Sequence, residues 1–136
     1  MKKLVIFLKG LGIILLGFVV IILVNLPHDL IINSVDPGSA KNNVPLSGQA
    51  EWISIAIVFV AGVLASTLVC TLAGRRRNAL LLILGALFLI ADLFGVFTSL
   101  SSTSIFYRIS MIVMIPFEVG LGFLLGKQLT GNKKRG

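Results

Sequence analysis

One cysteine and one histidine exclude much of the chemistry a small protein can carry. Cys70 has no second cysteine with which to form an intrachain disulfide or a CxxC redox pair. With His28 alone a bis-histidine haem within the chain is impossible, and a zinc site lacks the three or four ligands it needs. No cofactor and no metal is therefore expected. Acids are almost as scarce, five against twelve lysines and arginines. The sequence offers no nucleophile–base pair, metal cluster or phosphate loop, so no enzyme is expected.

Apolar sequence, by contrast, is abundant. The 136 residues are 57% hydrophobic and 12% charged, with a mean hydropathy of +1.05, whereas a soluble domain carries ~25% charged residues. A helix needs ~20 apolar residues to cross the ~30 Å hydrocarbon core. The pattern predicts an all-α, polytopic integral membrane protein, a single membrane domain over 1–136. Its four transmembrane helices are placed at about 10–25, 52–72, 79–97 and 105–126 by length and hydropathy. MKK followed by a long apolar run looks like a signal peptide. The run is too long, however, and ends in Asn25-Leu26-Pro27 rather than a small-residue cleavage site, so it reads as an uncleaved first span.

Charge sets the orientation. Of the twelve basic residues, Lys2, Lys3, Lys9, Arg75, Arg76, Arg77, Lys127, Lys133, Lys134 and Arg135 fall on one side of this pattern. Asp29, Asp36 and Glu51 lie in the long connection on the other side. The positive-inside rule then places both termini in the cytoplasm, with two antiparallel hairpins facing outward, in a cell inner or plasma membrane. Arg75, Arg76, Arg77 and Lys127 are the topology-setting cations. The formal charge of +7 is divided among clusters that flank apolar runs. That distribution suits the lipid bilayer and anionic lipid headgroups at the cytoplasmic face, not nucleic acid.

The connection at 27–51 contains Asp36-Pro37-Gly38, Asn42-Asn43 and Pro45, and reads as an irregular outer loop with at most a short interfacial turn. Gly74 is placed to cap the second span in a left-handed conformation before the GRRRN turn. Thr98 to Ser104 forms a short uncharged polar loop. Small residues punctuate the spans: Gly122 and Gly126, Ala61 and Ala65, Gly62 and Ser66, and Gly10, Gly12 and Gly17. They suit close helix packing within the chain, or the face of a homodimer or larger membrane complex.

Three ionisable residues interrupt the last two spans, and each needs a partner or a reason. Asp92 and Arg108 stand eight residues before and after Leu100. In an antiparallel hairpin rising ~1.5 Å per residue they share a depth, which predicts an intramembrane ion pair. An outward polar vestibule and simple snorkelling of Arg108 are the alternatives. Glu118, two residues after the helix-kinking Pro116, lies ~13 Å inside the boundary set by Lys127, near the midplane. It is the candidate proton site, with Ser66 and Thr67 as donors of matching depth and Lys9 reaching part of the way. A structural, hydrogen-bonded acid fits the same position. His28-Asp29 marks the outer mouth of the first span.

In length and span number the chain resembles the small multidrug resistance transporters. It departs from them where their chemistry lies, because its first span has no glutamate and Glu118 sits in the fourth. Two functions follow as expectations: a non-enzymatic accessory or packing subunit, or a small proton-coupled transporter or permeation unit using Glu118.

Overall fold

The computed structural model of the chain describes residues 1–38, 45–98 and 103–132. Among them every regular element is helical. They are α1 (Lys2–Asn25), the short α2 (His28–Val35), α3 (Gly48–Ala73), a 3-10 turn (Gly74–Arg76), α4 (Arg77–Thr98) and α5 (Ile105–Asn132). Three stretches, Lys3–Val35, Gly48–Gly95 and Ile105–Gly131, are long and apolar enough to cross a membrane. The second of these holds both α3 and α4, divided by the 3-10 turn.

The boundaries follow from local chemistry. Pro27 follows α1, and Leu26 N–H closes the last turn on Ile22 O at 2.9 Å. Ser47 caps α3 by accepting from Ala50 N–H at 3.3 Å, so residues 48–51, expected in the loop, are helical instead. Part of the remaining loop is helical too, as α2. Asn42-Asn43, the hairpin centre at Leu100 and the cations Lys133, Lys134 and Arg135 lie outside the described residues. Gly74 has a positive φ, +55°, which a residue with a Cβ adopts only under strain, but its ψ of −121° lies outside the left-handed helical cap expected there. Helix α5 runs through Pro116, leaving the Ile112 carbonyl without its usual donor.

α3 is the axis of the molecule, touching every other element. Its buried residues are mostly small: Ala50, Ser54, Ala61, Gly62, Ala65, Ser66 and Cys70. Small side chains let backbones approach where lipid supplies no hydrophobic drive. On one side α1 packs so closely that a Cβ on Gly17 would meet Val69 Cγ2 at 3.0 Å. On the other side Gly62, Ser66 and Cys70 lie against Glu118, Gly122 and Gly126 of α5. Both series advance four residues at a time in the same direction, so α3 and α5 run parallel, and α4 returns between their ends. Phe18 of α1 meets Phe88 of α4 edge-on, with ring centroids 6.2 Å apart. Large apolar side chains such as Leu15, Leu82, Phe94, Phe117 and Leu124 are exposed around the outside, as a lipid-facing surface requires.

Candidate functional site

Glu118 is brought to α3 by the glycine opposite it. A Cβ on Gly62 would land on the Glu118 carboxyl, so the missing side chain is the space the acid occupies. Glu118 is 3% exposed. Its carboxyl borders a cavity of about 90 Å³, which Asp92 of α4 also lines. Phe18, Val58 and Phe88 form much of the remaining wall. The two acids are near enough to act on each other electrostatically. Among the described residues neither accepts a hydrogen bond or meets a cation within ion-pair distance. Two carboxylates without a counter-charge in an apolar enclosure are costly. What such a site can do is take up a proton or a small cation, either of which removes that cost.

The proposed donors do not reach the acid. Thr67 Oγ1 donates to Val63 O of its own helix at 2.7 Å. Ser66 Oγ is buried without a partner, one turn below Gly62 and against Gly122. Lys9 lines a separate depression near the ends of α1 and α3, with Arg76 and Leu80.

The expected Asp92–Arg108 pair is not formed among the described residues. Arg108 instead turns back on the start of its own helix. Its Nη2 donates to Thr103 O at 2.6 Å and its Nε to Thr103 Oγ1 at 3.2 Å. Equal depth in a hairpin does not fix which way a side chain faces. Asp92 faces the cavity with α1 and α3, while Arg108 is spent as a donor to Thr103, just ahead of α5.

No protein-family model matches this chain, and no curated protein or solved structure does either.

A second polar assembly, whose members lie far apart in the sequence, ties α2, α3 and α5 together at the opposite end from the arginine turn. Glu51 is buried, 5% exposed. It accepts Ser104 N–H at 2.9 Å and Ser104 Oγ–H at 2.7 Å. Ser104 Oγ in turn caps α5 by accepting Tyr107 N–H at 3.1 Å. One helix turn along, Ser54 Oγ lies 2.7 Å from His28 Nε2 and 3.2 Å from the Tyr107 hydroxyl. His28 Nδ1 lies 3.0 Å from Asp29 Oδ1, the carboxylate acting as acceptor.

The order carboxylate, imidazole, hydroxyl is that of a hydrolase relay. Ser54 is only 1% exposed, which leaves no room for a substrate carbonyl beside its Oγ. The assembly therefore reads as a tie between elements. Trp52 and Phe106 stack beside it, ring centroids 5.0 Å apart. At the other end Arg75 and Arg76 are exposed in the 3-10 turn. Arg77 and Lys127 both lie over one ring, that of Phe123.

Proposed function

We propose that the chain is a small proton-coupled transport or permeation unit, in which the Asp92–Glu118 pair binds the proton. The observation that carries this reading is the cavity of about 90 Å³ that Asp92 and Glu118 both line. It exceeds the ~10–15 Å³ a single water requires, and an acid serving only to fix helix packing needs no such space. The chain crosses an inner or plasma membrane four times, with both ends of the sequence on the cytoplasmic side. The arginine turn between α3 and α4 and the parallel run of α3 with α5 support that path.

The test is proton movement in proteoliposomes holding a pH-sensitive dye, driven by an imposed potassium diffusion potential. Glu118→Gln, close in size and unable to ionise, is expected to abolish the movement while leaving thermal unfolding near that of the wild type. Asp92→Asn is expected to reduce it.

A second reading is favoured by a specific observation. The Glu51–Ser104 and His28–Ser54–Tyr107 contacts, with the small-residue seam, are what a packing or accessory subunit needs. A Glu118→Gln variant that folds and moves protons like the wild type would leave that reading in place.

A further inference from the structure

The arginine turn and the last turns of α5 border a second, open cavity of about 460 Å³, remote from the carboxyl pair. Arg75, Arg77 and Lys127 line it, together with Thr130, Cys70 and Gly74, and no acid does. Two of these cations converge. The Arg77 guanidinium lies 5.8 Å from the centroid of the Phe123 ring, and Lys127 Nζ lies 5.2 Å from the same centroid. Both are close enough to the Cys70 thiol to act on it electrostatically.

Like charges gathered in a concavity repel one another unless an anion joins them. Every acid in the sequence lies elsewhere: Asp29, Asp36 and Glu51 toward the far end, Asp92 and Glu118 at the first cavity. The ring beneath the two cations holds them in place at modest cost, since cations favour an aromatic face. The volume is roughly fifteen times the ~30 Å³ share of one liquid water, room for a phosphate and part of the group that carries it.

We propose that this pocket binds a phosphate-bearing anion, with Arg75, Arg77 and Lys127 as its charged ligands. Basic pockets between spans at the cytoplasmic rim suit phospholipid headgroups, and a soluble phosphate compound presents the same chemistry. The proposal does not rest on the proton reading, because binding is measured on the purified chain with no gradient present.

Two probes separate the sources. The full chain in neutral detergent is titrated with phosphatidylglycerol, and separately with inorganic phosphate, bound ligand being counted by native mass spectrometry. Phosphatidylcholine serves as the zwitterionic control. Arg77→Gln with Lys127→Gln is expected to weaken binding by about 10- to 30-fold. Lys3→Gln with Lys9→Gln, which removes the same charge elsewhere, is expected to leave it unchanged.

Thr130→Trp fills the pocket and keeps every cation, so it tests the cavity rather than the charge. It is expected to lose binding, whereas a merely electrostatic surface would not notice it. Binding of the lipid without competition by inorganic phosphate assigns a headgroup, and competition assigns a soluble phosphate. The proposal is overturned if neither probe binds the wild type, or if Thr130→Trp binds as the wild type does.

Discussion

Gly62 and Gly122 look alike in sequence, and their surroundings separate them. A Cβ on Gly122 would meet Ser66 C and Thr67 N, both at 2.9 Å, and backbone cannot step aside. A Cβ on Gly62 would meet the far end of a flexible glutamate, which can. Gly12 faces open space. Gly122→Ala is therefore expected to destabilise the fold by about 1–3 kcal/mol through overpacking, read as a fall in the unfolding temperature in detergent. Gly62→Ala is expected to displace the Glu118 carboxyl, so that proton movement falls while the unfolding temperature drops less than in Gly122→Ala. Gly12→Ala is expected to be neutral or to stabilise slightly, alanine being the better helix former by ~0.5–1 kcal/mol. A Gly62→Ala protein with wild-type proton movement would mean the carboxyl's position is immaterial.

At the scale of elements, the tie among α2, α3 and α5 explains why α2 exists. Eight residues are too few to hold a helix by propensity, since isolated helices below ~12–15 residues are marginal. Ile32, 6% exposed, and His28 dock α2 on its neighbours instead. Removing Glu51 should strand the Ser104 amide and hydroxyl together. Glu51→Ala is expected to cost about 1.5–3 kcal/mol, as lost hydrogen bonds to a charged group do. Tyr107→Phe is expected to cost about 1 kcal/mol by the same measure. Denaturant or thermal unfolding checks both, with Ser34→Ala, whose hydroxyl donates to Ile31 O on an exposed surface, as the neutral control.

What could be read beforehand divides along the same line. Hydropathy and glycine placement foretold long apolar helices and the turn at Gly74, because both are properties of short segments. They could not foretell that α5 aligns in parallel with α3, because that depends on the azimuth of each helix. The Asp92–Arg108 expectation failed for this reason: sequence spacing does not say which way each side chain faces. The Glu118–Gly62 contact had a visible signal in hindsight. Gly62-Ser66-Cys70 and Glu118-Gly122-Gly126 share a four-residue spacing, two small-residue ladders of equal pitch.

For the whole molecule the decisive stretch is Gly48–Gly95. Its 48 residues, as one straight helix, would reach ~70 Å at ~1.5 Å per residue, more than twice the ~30 Å hydrocarbon core. The stretch breaks at Gly74, and three arginines follow, each costing about 2.5–3.5 kcal/mol if left at the bilayer centre. Doubling back at that turn removes both difficulties, and the four crossings proposed above would put the two ends of the sequence on one side. The lone cysteine makes this testable. In a Cys70→Ser background, a cysteine placed at Gly38 or Gln49, both exposed, is expected to react with a membrane-impermeant maleimide added outside intact expressing cells. A cysteine at Asn78, exposed beside the arginine turn, is expected to react only after permeabilisation. Reaction at 78 from outside would reverse the orientation, and with it the side from which the proposed proton site and anion site would be reached. Reaction at both loops from outside would be incompatible with any crossing by α3, and the parallel seam that seats Glu118 would then need another explanation.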